Sequence, residues 1–190
     1  EGVLAWKQGN LFEASDKLKQ ALKIKQEQNQ RVSMASISNN LGIIAYSQKQ
    51  YKKAVGHYLQ GIEWLGDADN DRMRSSLFSN LGESLIALDR YAEAETYLRK
   101  SLAIEREANN PRNLAYTYFN LGELEAAQGD RGAAIELYRK ALSIQEGIDD
   151  AWAAALTRLR ISREHLASGD HAAAIEVLVP GYEAVKRLNA

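Results

Sequence analysis

Two carboxylates stand forty residues apart, Glu83 and Glu123, and two guanidinium groups follow at Arg160 and Arg163. Paired carboxylates serve general acid–base chemistry when one of them holds its proton near neutrality. Nothing in the sequence around them indicates such a raised pKa, and the arginines favour the ionised forms. An acidic-to-basic gradient that orients a peptide, or plain pairing between structural units, accounts for the four more cheaply. The three histidines, His57, His165 and His171, lack metal-ligand spacing. A phosphate loop, a G-x-S-x-G elbow and an H-E-x-x-H pair are all missing. The chain therefore reads as non-catalytic, with no cofactor and no metal.

Amides and aromatics are the better candidates. Asn40, Asn80 and Asn120 recur at one interval. A carboxamide donates and accepts at once, so such a row can clasp an extended peptide backbone irrespective of its side chains. Equally, each asparagine can bond a neighbouring helix and set the spacing of the scaffold. Asn39 stands outside the series, which favours a ligand-facing role. Tyr116 and Phe119, three apart on one helical stripe, either form an apolar anchor pocket or pack against a following helix near Leu156 and Leu159.

The elements that would carry these residues follow from a period of forty. Asn40-Leu41-Gly42 returns as Asn80-Leu81-Gly82 and Asn120-Leu121-Gly122. Alanine stands at 14, 54, 94, 134 and 174. Large apolar residues follow at Leu18, Tyr58, Leu98, Tyr138 and Leu178, and small ones at Ala21, Gly61, Ser101, Ala141 and Gly181. Within each period apolar residues recur at spacings of three and four, the mark of an amphipathic helix. Each unit holds two helices, the clearest predicted at 31–48 and 51–66. The turns between them are Gly9-Asn10, Lys49-Gln50, Asp89-Arg90, Gly129-Asp130 and Gly169-Asp170, where glycine can take a left-handed conformation and Asp or Asn can cap the next helix. Units are separated by Asp67–Asn70, Asn109-Asn110-Pro111 and Asp149-Asp150. The parse is one solenoid over 1–190: a half unit at 1–30 and units at 31–70, 71–110, 111–150 and 151–190.

Mid-helix glycine costs about 0.5–1 kcal/mol against alanine, so Gly42, Gly82 and Gly122 need a packing gain. Close crossing of paired helices supplies one, with the Ala54 series expected as the facing surface. In the last unit Ser162 replaces the glycine, Arg160 the asparagine, and Pro180 is expected to kink or break the second helix near Glu176.

Leu41-Gly42, Ala54, Tyr58 and Gly61 match in order the consensus of the tetratricopeptide repeat, which this chain resembles along its whole length. The units are longer than the standard of about 34 residues, similar to those of kinesin light chains, Pins-type adaptors and bacterial regulatory proteins. The resemblance implies an all-α fold, a right-handed superhelix of antiparallel helix pairs, whose concave face is lined by first helices. On that face it would place Asn39, Asn40, Ile43 and Tyr46, then Asn80 and Glu83, then Tyr116, Phe119, Asn120 and Glu123, then Arg160 and Arg163. The family's clamp for chaperone carboxylates needs Lys and Asn where this chain has Asn39, Ile43 and Glu83, so that use is not expected.

Composition agrees with an all-α scaffold, with 45% hydrophobic and 26% charged residues and two prolines. A net charge of −1 offers no field for nucleic acid or an anionic membrane. No apolar run approaches the ~20 residues that span a bilayer. Zero cysteines exclude disulfides and thiolate metal sites. The chain opens at Glu1 inside a helical pattern, so it is expected to belong to a longer protein. Three functions follow: a protein- or peptide-binding adaptor, a ligand-sensing module controlling an appended effector, or a self-association module forming a homodimer. The cytoplasm is the expected compartment.

Overall fold

The structure, a computed structural model, describes residues 11–188. The predicted Gly9-Asn10 turn lies outside them. Among the described residues the chain is all-α, and helices follow one another in antiparallel pairs as in a solenoid: α1 Leu11–Glu27, α2 Arg31–Ser47, α3 Tyr51–Leu65, α4 Asp71–Ile86, α5 Tyr91–Ala108, α6 Pro111–Gln128, α7 Arg131–Gly147, α8 Ala151–Ala167 and α9 His171–Leu188. They form two compact units, one through Ile104 and one from Glu105, with the boundary inside α5.

Every corner contains one left-handed residue: Asn29, Lys49, Gly66, Asp89, Asn109, Gly129, Asp149 and Gly169. Glycine fills only three of these, because Asn and Asp tolerate the conformation at small cost. Start signals are clearest from Asn70 onward. Asn70, Asn110, Asp130, Asp150 and Asp170 accept the backbone N–H three residues ahead, satisfying one of the orphan donors of a first turn. Pro111 occupies the first turn of α6, where its missing N–H is not needed. Gln30 and Gln50 make no such cap. The loop before α4 is held by Arg74, whose guanidinium donates to the carbonyls of Gly66 and Ala68 at 3.0 and 2.9 Å.

The repeated small residues mark two crossing points within a helix pair. At the first, a Cβ on Gly42 would clash with the edge of the Tyr58 ring, one on Gly82 would lie 2.6 Å from Leu98 Cγ, and one on Gly122 would lie 2.6 Å from the Tyr138 ring. The facing surface is thus the large apolar series rather than the Ala54 series, whose buried alanines lie one turn away. At the second crossing a Cβ on Gly61 would lie 3.3 Å from the Ala35 carbonyl, Ser101 Oγ donates to the Ser75 carbonyl at 3.0 Å, and a Cβ on Gly181 would lie 3.4 Å from Ala155 Cα. Positions 35, 75 and 155 belong to one register, so the same contact recurs with a different small residue each time.

Of the kink or break expected near Glu176, the break does not occur, since α9 runs through Pro180. Proline removes one helical hydrogen bond, and the bonds on either side can carry the helix past it. Beside it, Arg158 on α8 donates to the Val177 carbonyl at 3.4 Å and pairs with Glu146.

Candidate functional site

In the unit through Ile104, the candidate side chains project from α2 and α4, two first helices with α3 between them in the chain, buried at Met34, Leu41, Leu77 and Leu81. Asn39 and Asn80 meet: Asn80 Nδ2 donates to Asn39 Oδ1 at 2.9 Å. Both are half-buried, as are Asn40 and Ile43. Tyr46 is half-buried with its ring 5.2 Å from that of Tyr51. Burial pushes the Tyr58 hydroxyl above its ordinary pKa, and the negative field of Glu83 adds to this, followed by Tyr46.

In the unit from Glu105, the candidates come from α6 and α8. Glu123 accepts from Tyr138 Oη at 2.5 Å and from Arg160 Nε at 2.8 Å, with Arg163 Nη2 at 4.0 Å. Arg163 instead bonds its neighbour Glu164, Nε to Oε1, at 3.0 Å. Arg160 also lies over the Phe119 ring, 5.9 Å from its centroid. Phe119 packs 5.5 Å from the Tyr138 ring and joins the core of Ala134, Tyr138 and Ile161. Burial, then the bond to Glu123, raises the Tyr138 pKa. Glu123 is the acceptor of a fixed network, an arrangement that suits ion pairing better than proton transfer. Tyr116 is 38% exposed, whereas Asn120 is fully buried and does not reach the open face.

Residues 73–147 match the family model of the tetratricopeptide repeat. That stretch carries tetratricopeptide repeats. No curated protein sequence matches it. Solved structures do. The Rap protein complexed with competence and sporulation factor is similar over 97% of this chain and 52% of that one, with 19% identity and a TM-score of 0.88. The Rap conjugation gene regulator of plasmid pLS20, in complex with the Phr* peptide, is similar over 99% of this chain and 52% of that one (18% identity, TM-score 0.82). A putative kinesin light chain repeat protein from Podosopora anserina is similar over 100% and 93% (18% identity, TM-score 0.75). The chain thus spans about half the length of the two Rap structures.

The tetratricopeptide register also shows what the sequence reading missed. Asn39 was singled out without a partner, because its partner Asn80 lies one residue off the forty-residue step. Gln145 and Thr157 were not noticed, although both are buried polar residues in the unit from Glu105. The signal was present: two periods earlier the same registers hold Leu65 and Leu77. Among the described residues no group of His, Asp and Glu is placed to hold a metal ion, and no helix is long and apolar enough to cross a membrane.

Proposed function

We propose that this chain is a non-catalytic, cytoplasmic scaffold that binds an extended peptide or protein segment along its first-helix faces. The observation that carries the reading is the half-buried Asn39–Asn80 pair, which joins consecutive first helices by their carboxamides. Amides held in fixed orientation can bond a peptide backbone whatever its sequence. Two similar structures with bound partners, the competence and sporulation factor and the Phr* peptide, support the same class of ligand. Asn40, Ile43, Tyr46 and Glu83 would complete the contact in the first unit. Tyr116, Phe119, Glu123, Arg160 and Arg163 would do so in the second.

The test is a peptide-library screen with titration of the best binder against wild type and Asn39→Ala/Asn80→Ala. Loss of the amide bonds should weaken binding at least ~10-fold at unchanged helicity. Unchanged affinity in the folded variant overturns the use of this face. A second reading, self-association, is favoured by the apolar surface of α8 and α9, where Trp152, Val179 and Tyr182 are 70%, 52% and 65% exposed. Light scattering on the same samples separates it, since a dimer that grows with concentration and persists in the variant would make assembly the primary function.

A further inference from the structure

We infer that the unit from Glu105 contains a pocket for a flat apolar ring bearing one N–H or O–H donor, an indole or phenol group. The pocket is a cavity of about 240 Å³ among α6, α7 and α8. Its walls are apolar and aromatic at Tyr116 and Phe119 on α6, Ile148 beside α7 and Leu156 on α8, and polar at Asn113 and at Arg112, which pairs with Asp150 at 3.2 Å. Gln145 and Thr157 also line it and are 5% and 0% exposed, which puts them at its floor. Gln145 Oε1 and Thr157 Oγ1 are buried with no hydrogen-bond partner in the protein.

One period earlier the two floor registers hold Glu105 and Thr117, both buried, and the first unit furnishes the place differently again. There the two floor registers hold Leu65 and Leu77, exposed 1% and 0%. Two leucines fill the space with dispersion contacts and leave no polar atom to satisfy. The second unit replaces both with polar residues of smaller apolar content and opens a cavity between them. An unsatisfied buried carbonyl or hydroxyl costs roughly 1–3 kcal/mol, so two in one pocket are a standing penalty that a donor-bearing guest relieves. Ring walls and a single polar end define that guest. The volume falls below the roughly 300 Å³ at which drug-sized sites begin, which fits one ring system. The guest is either the side chain of a bound peptide or a free aromatic compound, and the pocket's own chemistry is the same for both.

The experiment titrates the full chain with indole and with 1-methylindole, equal in shape but lacking the donor, and follows amide shifts around Gln145 and Thr157. Indole should bind and 1-methylindole should bind at least ~10-fold more weakly, the loss of one buried hydrogen bond. The variant Gln145→Leu/Thr157→Leu, which restores the pair of the first unit, should fold and bind neither. No indole binding, equal binding of the two probes, or retention of binding in the leucine variant each overturns the pocket. A tryptophan-bearing peptide that displaces indole at lower concentration than free indole does assigns the guest to a polypeptide. Displacement no better than by indole itself assigns it to a free compound. The pocket is tested apart from the peptide-binding reading: peptide binding with no indole response at Gln145 and Thr157 defeats this inference alone, and indole binding with no peptide binder defeats only the other.

Discussion

The unit through Ile104 and the unit from Glu105 use one crossing geometry and furnish it differently. Gly42 lies under Tyr58 and Gly122 under Tyr138, both rings buried. Around Tyr58 the first unit has the field of Glu83. Around Tyr138 the second unit has a direct bond to Glu123, itself bonded to Arg160. In the first, α2 and α3 begin at glutamines that cap nothing. In the second, α6 to α9 all begin with a side chain that does. The crossing is the demand that packing imposes on every pair. Caps and polar networks are local additions, free to differ.

The largest effect comes from breaking what the units share. Gly42→Ala and Gly122→Ala drive a methyl into a buried ring and should each lower stability by about 1–3 kcal/mol. Gly56→Ala, in the middle of α3 with nothing within 4 Å, should raise it by about 0.5–1 kcal/mol. Urea denaturation of the three variants decides the matter. If all three gain stability, helix propensity and not ring contact governs the glycines.

A smaller effect separates the two rings. Tyr138→Phe removes a donor to a carboxylate and should cost about 1–2 kcal/mol, against less than ~0.5 kcal/mol for Tyr58→Phe. Both hydroxyls have pKa values above the ordinary 10.0 in the folded protein. The unfolded chain therefore loses these protons first as pH rises. Their contribution is complete below pH 10 and is lost as pH climbs from there toward the folded values. Denaturation midpoints measured between pH 9 and 11 should fall for wild type and fall less for either phenylalanine variant.

The smallest effect transfers a feature of the second unit to the first. Gln30→Asp and Gln50→Asp should each add about 0.5–1 kcal/mol by capping α2 and α3, read as a higher melting temperature. No gain would mean that the first turns there are already satisfied by other means.

Legibility followed the physics of each feature. The helix α2 was expected at 31–48 and runs Arg31–Ser47, because a forty-residue period is written by the core and the core places helices. Asn110, Asp130 and Asp150 were readable as caps because capping is local. Pairings between helices were not local. That Tyr58 rather than an alanine covers Gly42 depends on side-chain direction across a crossing, which spacing alone does not give. Asn80 and Asn120 are the same letter at the same register, yet one is half-buried and the other fully buried. At Pro180 the usual cost predicts a kink or break, yet α9 runs on, because a helix can lose one bond and be held by the bonds on either side.

Within each unit a helix packs on its nearest neighbours in the chain, as α2 does on α1 and α3, and α8 on α7 and α9. Such contacts close short loops, which keeps the entropy lost before the first favourable contact small. Folding can then nucleate at any helix pair and spread outward, and unfolding can fray a terminal pair while the rest persists. Stability in such a chain is a profile along its length and not a single number.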